Sequence, residues 1–179
     1  MKNLEALSKD QVNDTNASIF DDLKSKLNMV PNLYATIANS GVALKAILEY
    51  GNTLGGGELS GKEAELIALT ISQMNSCHYC LAAHTALGKM NGFSEDDTKA
   101  IRNANYDGDA KLKALATLTK DLAENKGHAS EENVKAFYDA GYSKGALVEV
   151  VGFISMNVFN NYVNNFAGTD IDFPKAPEL

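Results

Sequence analysis

The 179-residue sequence predicts an all-α fold, a compact array of about eight helices. Apolar residues recur every three or four positions, for example at Leu112, Leu115, Leu118 and Leu122, which is the helical period. Valine and isoleucine stand inside such patterns and not in the alternation typical of strands. Glycine-containing loops, most clearly the three glycines at 55–57, separate the predicted helices. We therefore expect one helical domain over residues 1–179.

Capping residues and breakers divide the chain into its elements. Pro31 suits the first turn of a helix, and Ser60 with Glu63 forms a capping-box pattern. Gly127 and Gly141 follow helix ends. The predicted helical segments are 14–28, 32–38, 42–54, 60–74, 77–89, 96–103, 111–124, 130–140 and 143–165. The segments 60–74 and 77–89 form one helix if the chain continues through Asn75-Ser76. The core is expected at about 15–168 and an extended tail at 169–179.

A weak internal similarity suggests that the chain consists of two pseudo-repeated halves. Residues 71–75, Ile-Ser-Gln-Met-Asn, resemble residues 154–157, Ile-Ser-Met-Asn, and Gly-Phe-Ser at 92–94 resembles Gly-Tyr-Ser at 141–143. The second copy contains no cysteine or histidine. If the halves are repeats, only the first carries chemistry.

The charge balance argues against two classes of partner. Sixteen basic and 23 acidic residues leave a net charge of −7, and no cluster of lysine or arginine stands out. Nucleic acid and anionic membranes both need a positive surface, so neither is expected to bind. The most apolar stretch, 146–159, is too short to span a bilayer and is expected to be a buried helix. The N-terminus has no signal-peptide pattern, and a cytoplasmic location is expected. The asparagines that follow the apolar stretch are expected at solvent or at a subunit interface; they are Asn157, Asn160, Asn161, Asn164 and Asn165.

The two cysteines, Cys77 and Cys80, lie three residues apart and cannot form a disulfide scaffold. They are either a redox pair or half of a metal site. At about 100° per residue, Cys77, Cys80 and His84 fall on one stripe of a helix, with His84 one turn after Cys80. A helix beginning at Cys77 would stabilise a thiolate through its free N–H groups. His78 points away from the stripe.

Glu65 is the candidate carboxylate for orienting His84. It lies in an otherwise apolar helix, twelve residues before Cys77. An unbroken helix would hold Glu65 roughly 20 Å or more from Cys80 along its axis. A role beside His84 therefore requires the chain to fold back near Asn75-Ser76.

The arrangement Glu-x11-Cys-x2-Cys-x3-His resembles the motif of the alkyl hydroperoxidase D-like group of the carboxymuconolactone decarboxylase family. The segments 30–33, 59–63, 77–81 and 170–174 are similar to peroxidase-related members of that group, and the resemblance covers most of residues 15–175. It implies a thiol peroxidase in which Cys80 attacks the peroxide and becomes a sulfenic acid, while Cys77 donates a proton and resolves the sulfenic acid as a disulfide. His84 and Glu65 match the proton relay.

The resemblance also implies a trimer or hexamer, a hydroperoxide substrate, no cofactor beyond the cysteine pair, and reduction by a lipoyl or thioredoxin-like dithiol. One position departs from the family pattern: Tyr79 stands where the alkyl hydroperoxidase D proteins have a histidine, and His78 comes one residue earlier. His78 and Tyr79 are therefore possible modulators. Two alternatives stay open, a thiol–disulfide oxidoreductase or redox sensor that uses the same pair, and a non-enzymatic zinc module bound through Cys77, Cys80 and His84.

Overall fold

The computed structural model describes residues 4–179, and within them it contains helices and no strand. The prediction of an all-α fold is confirmed. A short 3-10 turn over Lys9–Gln11 precedes nine α-helices. Their bounds are α1 Asp14–Leu27, α2 Asn32–Ile37, α3 Gly41–Leu54, α4 Gly61–Met74, α5 His78–Met90, α6 Glu95–Arg102, α7 Ala110–Glu124, α8 Glu131–Asp139 and α9 Lys144–Ala167.

The described chain has one helix more than the expected eight because it breaks at Asn75-Ser76. Ser76 adopts a left-handed backbone with φ of 50°, which no helix interior tolerates. The N–H of Cys77 then donates to the carbonyl of Ser72 at 2.9 Å. This six-residue closure ends α4 in the manner of a Schellman motif, and three residues separate Met74 from the start of α5 at His78. The fold-back that a role for Glu65 requires is therefore present.

Helix α4 lies at the centre of the fold and contacts α5, α6, α7 and α9. Leu66, Ile67 and Leu69 have no exposed surface. At its start Ser60 accepts from the N–H of Glu63 at 3.3 Å, and the Glu63 carboxylate accepts from the N–H of Ser60 at 2.7 Å. This reciprocal cap satisfies two backbone donors that a helix N-terminus leaves free, so α4 begins where the sequence predicts.

Helix α9 packs against α4 as one uninterrupted element of 24 residues. One of its faces packs into the core, whereas Val148 and Val151 on the other are 72% and 50% exposed. The expectation of a buried helix over 146–159 therefore applies to one face only. Between residues 4 and 179, α9 alone has the length and composition that crossing a membrane would need, and core helices of globular proteins meet the same criteria. The repeat-like Ile-Ser-Met-Asn at 154–157 lies inside α9, whereas α4 ends within its counterpart at 71–75.

The chain after α9 returns over α2 and α5 without regular structure. Asp172 accepts from the backbone N–H of Asn32 at 2.7 Å, and Arg102 donates to the carbonyl of Pro177 at 2.7 Å. Phe173 meets the ring of Tyr79 edge to face, with 5.8 Å between centroids. These contacts attach the tail to the surface beside the cysteine pair.

Candidate redox site

The cysteine pair lies at the start of α5, directly after the break. Cys77 is the residue that caps the helix, and its sulfur accepts from the backbone N–H of Cys80 at 3.3 Å. The two residues are joined as a disulfide, with 5.3 Å between their Cα atoms. Cys77 has no exposed surface and Cys80 has 2%. The pair can therefore pass between dithiol and disulfide within one turn, in surroundings that exclude bulk water.

The break turns α5 back along α4, and this brings Glu65 to His84. The Glu65 carboxylate lies 2.8 Å from Nδ1 of His84, and the side chains are 16% and 20% exposed. An ionised carboxylate can only accept, so Nδ1–H donates and Nε2 is left to take up or release a proton. His84 follows Cys80 by four residues on α5, which puts the two side chains on one helix face.

Asn164 on α9 completes the surroundings of the sulfurs. Its amide Nδ2 donates to the sulfur of Cys80 at 3.2 Å, and the side chain is 3% exposed. The expectation that the asparagines of this helix face solvent or a partner subunit is wrong for four of them, because Asn157, Asn160, Asn161 and Asn164 are buried. The spacing of 157, 161 and 164, at four and three residues, is the signal that marks a single stripe of the helix.

Two further asparagines of α9 hold the break in place. Asn161 accepts from the side chain of Asn75 at 2.9 Å and donates to the hydroxyl of Ser72 at 3.4 Å. Asn165 donates to the carbonyl of Asn75 at 2.8 Å. Helix α9 thus anchors both the turn before the cysteines and, through Asn164, one of the sulfurs.

The two candidate modulators occupy different surroundings. Tyr79 is buried, and its hydroxyl accepts from the N–H of Leu33 at the start of α2 at 3.2 Å. Burial raises the pKa of Tyr79, with Asp172 adding to the effect, so the hydroxyl stays protonated at neutral pH. His78 is the first residue of α5 and is exposed. Among the described residues 4–179, neither side chain forms a hydrogen bond with Glu65 or His84.

A groove of about 610 Å³ opens between α1 and α3. Tyr34 lines the groove, and burial together with the nearby charge of Glu65 raises the pKa of Tyr34. Leu23 and Leu48 line it too, and they belong to the same apolar cluster as Cys77 and Cys80. The groove and the cysteine pair therefore border one apolar cluster.

No cluster of three or more histidine, cysteine or acidic side chains suited to a metal ion occurs in the described residues 4–179. The zinc alternative needs at least three such ligands, and the disulfide removes both sulfurs from that set.

Comparison with known proteins relates this chain to one protein family and to several solved structures. Residues 42–121, which include Glu65, Cys77, Cys80 and His84, match the model of the carboxymuconolactone decarboxylase family. No curated protein sequence matches the chain. Several crystal structures share the fold at sequence identities that bear on fold alone.

An uncharacterized peroxidase-related protein from Silicibacter sp. TM1040 is 22% identical, with a TM-score of 0.83 over 94% of this chain and 92% of that one. The alkylhydroperoxidase AhpD core of an uncharacterized peroxidase-related protein from Ralstonia eutropha JMP134 is 18% identical, with a TM-score of 0.87 over 96% and 92%. The debrominase Bmp8, in complex with 2,3,4-tribromopyrrole, is 14% identical, with a TM-score of 0.80 over 96% and 92%.

The predicted resemblance is confirmed by both comparisons. Its functional content, including the roles of Glu65, Cys77, Cys80 and His84, stays a prediction. Residues 42–121 match the model of the carboxymuconolactone decarboxylase family, and the chain has the fold of the alkylhydroperoxidase-like, peroxidase-related proteins.

Proposed function

We propose that this protein is a thiol-dependent peroxidase that reduces hydroperoxides through a sulfenic acid and disulfide cycle. The observation that carries the proposal is the convergence of Cys77 and Cys80, within disulfide distance, with a hydrogen-bonded Glu65–His84 pair on the same two helices. Thiolates and not thiols react with peroxides. A buried cysteine that must react therefore needs a nearby base, and His84 supplies one.

The first half of the cycle oxidises Cys80. Nε2 of His84 accepts the Cys80 proton, and Glu65 stabilises the imidazolium that results. The Cys80 thiolate attacks one peroxide oxygen, the O–O bond breaks, and the alkoxide leaves with the proton that His84 returns. The products are a Cys80 sulfenic acid and an alcohol. No proton is left over, because the one taken from the thiol ends on the alcohol.

The second half makes the disulfide. The Cys77 thiol loses its proton and attacks the Cys80 sulfur, the S–O bond breaks, and water leaves. The 5.3 Å separation of the two Cα atoms is compatible with this step without unfolding α5. An external dithiol then reduces the disulfide, and we propose a lipoyl or thioredoxin-like donor in the cytoplasm, with no cofactor beyond the cysteine pair.

Burial separates this function from the alternative of a protein thiol–disulfide oxidoreductase. A protein substrate must bring its own sulfur into line with the attacked one. With 0% and 2% of Cys77 and Cys80 exposed, a small hydroperoxide that enters from the groove meets less obstruction than a folded partner does. The physiological dithiol faces the same restriction, which favours a lipoyl arm over a bulky domain.

We further propose that the protein is a homo-oligomer, a trimer or hexamer. The exposed face of α9 carries Val148, Val151 and Tyr162, which are 72%, 50% and 61% exposed. An apolar strip of this kind is typical of surfaces that a partner covers. Sedimentation of the purified protein tests the proposal, and a monomer at micromolar concentration would contradict it.

Stopped-flow oxidation of the reduced protein by cumene hydroperoxide tests the function. The proposal expects oxidation much faster than that of free cysteine, and loss of the reaction in Cys80→Ser. A rate no higher than that of free cysteine contradicts it. If the thiols instead exchange rapidly with protein disulfides and have a reduction potential near that of thioredoxins, the oxidoreductase alternative gains the support.

The fold shared with Bmp8 suggests a second experiment, which distinguishes a peroxidase from a dehalogenating enzyme. Reduced protein is incubated with 2,3,4-tribromopyrrole, the molecule bound in that structure, and with cumene hydroperoxide in parallel. A peroxidase oxidises its cysteines with the hydroperoxide and releases no bromide. Bromide release that exceeds the reaction with hydroperoxide would redirect the assignment to dehalogenation.

A further inference from the structure

The Asn164 side chain is a buried amide that contacts a reacting atom of the proposed cycle. It is 3% exposed and donates to the Cys80 sulfur at 3.2 Å. Its other polar atom, Oδ1, has no hydrogen-bond partner among residues 4–179. Among the described residues, the sulfur of Cys80 is thus the hydrogen-bond partner of this amide side chain.

Stability alone does not account for an amide at this position. A buried carbonyl oxygen without a partner destabilises the fold by about 1–3 kcal/mol, and a neutral sulfur is a weak acceptor. A leucine would fill the space without either disadvantage. The hydrogen bond from the amide becomes strong only when the sulfur is negatively charged, because hydrogen bonds to charged acceptors are roughly twice as strong.

We infer that Asn164 is a catalytic residue that stabilises negative charge on the Cys80 sulfur. The inference rests on the proposed function and names a residue of that same site. Each sulfur then has its own N–H donor: the backbone of Cys80 serves Cys77 at 3.3 Å, and Asn164 serves Cys80. Asn164 stabilises Cys80 in its thiolate form, which is the form that attacks the peroxide.

The same contact gives the reductive half-cycle a direction. An external thiolate that attacks the Cys77 sulfur breaks the disulfide and expels Cys80 as a thiolate, which Asn164 stabilises. Attack at Cys80 would instead expel Cys77, which has no bond from Asn164. The electron pair of the broken S–S bond therefore ends on Cys80, and the external thiol forms its mixed disulfide with Cys77.

The chain offers a matched control on the same helix. Asn157 lies two turns before Asn164, is 1% exposed, and also has an Oδ1 without a partner in the described residues. Its Nδ2 donates at 2.9 Å to the carbonyl of Phe153 in its own helix and not to sulfur. Asn157→Leu therefore reproduces the change in packing and polarity without removing a donor to Cys80.

The experiment is a thiolate absorbance titration in a Cys77→Ser background, where Cys80 is the one remaining thiol. Loss of a hydrogen bond to a charged acceptor predicts that Asn164→Leu moves the midpoint up by about 1–2 pH units. Asn157→Leu leaves the midpoint in place. Asn164→Asp, which presents a carboxylate to the sulfur, moves it up further. Should Asn164→Leu fail to fold by circular dichroism, Asn164→Ala reports the same midpoint.

Oxidation rates at two pH values complete the test. The inference expects Asn164→Leu to react roughly tenfold or more slowly with cumene hydroperoxide at pH 7, and to recover when the pH exceeds both midpoints. Equal midpoints in Asn164→Leu and Asn157→Leu overturn the inference. The titration uses no peroxide, so a shifted midpoint without peroxide reactivity retains Asn164 and rejects the peroxidase, whereas fast oxidation with equal midpoints does the reverse.

Discussion

Replacing Glu65 by glutamine removes the charge from the proposed relay and leaves its geometry in place. The carboxylate lies 2.8 Å from Nδ1 of His84 in a site where the two side chains are 16% and 20% exposed. Glutamine has the same length, and its Oε1 accepts from Nδ1–H as the carboxylate does. Glu65→Gln therefore tests the charge that stabilises the imidazolium.

The expected magnitude follows from the two kinds of hydrogen bond. A bond to a charged group contributes about 1.5–3 kcal/mol and a neutral one about 0.5–1.5 kcal/mol, so the exchange loses about 1–2 kcal/mol. Converted to a rate, this is roughly a five- to thirtyfold slower formation of the Cys80 sulfenic acid. Glu65→Ala should lose more, because it leaves the Nδ1–H of His84 partly buried without its acceptor.

The assay is stopped-flow oxidation by cumene hydroperoxide at pH 7. Glu63→Gln is the matched control, since Glu63 lies two residues earlier on α4, is 7% exposed, and bonds to Ser60 and not to His84. The control should oxidise at the wild-type rate. If Glu65→Gln and Glu63→Gln react equally fast, the carboxylate has no part in proton transfer and the relay is refuted.

Four further outcomes are expected. In urea unfolding, Ser76→Val should be less stable than Ser76→Gly by about 1–2 kcal/mol, because only glycine adopts a φ of 50° without strain. Tyr79→Phe should lose about 1–3 kcal/mol in the same assay by leaving the buried N–H of Leu33 without its acceptor. Leu48→Trp, which narrows the groove, should slow oxidation by cumene hydroperoxide more than oxidation by hydrogen peroxide. Glu63→Gln should flatten the loss of stability as the pH falls below 4.5.

The sign of the last prediction follows from the surroundings of Glu63. Burial alone would raise the pKa of this carboxyl, but the hydrogen bonds from Ser60, with the charge of Lys111, outweigh it and lower the pKa. The folded form therefore holds its proton less tightly than the unfolded chain does. Its contribution to stability is complete above the ordinary value of 4.5 and is lost as the pH falls through the folded value. A wild-type acid profile matching that of Glu63→Gln would contradict this.

The helices could be predicted from the sequence because their ends are marked chemically. Ser60, Ser94 and Ser130 each cap a helix with the side-chain bond to the third residue that their spacing predicts. The break at Asn75-Ser76 carries no such mark. The left-handed Ser76 follows Asn75, which is bonded to the side chains of Asn161 and Asn165, far along the chain. Tertiary contacts decide this turn, and local propensity does not.

In the site, too, the sequence predicts what short-range spacing determines and misses the long-range contacts. Short-range spacing placed His84 one turn from Cys80, and a carboxylate in an apolar helix pointed to Glu65. The Asn164 contact joins residues that are 84 positions apart, so no spacing rule reaches it. Only the three- and four-residue rhythm of the asparagines in α9 signals a buried stripe, and that rhythm does not name the partner.

The measurement that tests the central claim most directly is the site of sulfenic acid formation. Cys77→Ser and Cys80→Ser are each treated with one equivalent of cumene hydroperoxide in the presence of dimedone, and the adducts are located by mass spectrometry. The account predicts an adduct on Cys80 in Cys77→Ser and none in Cys80→Ser. An adduct on Cys77 in Cys80→Ser, with Cys80 unmodified in the other variant, would contradict it.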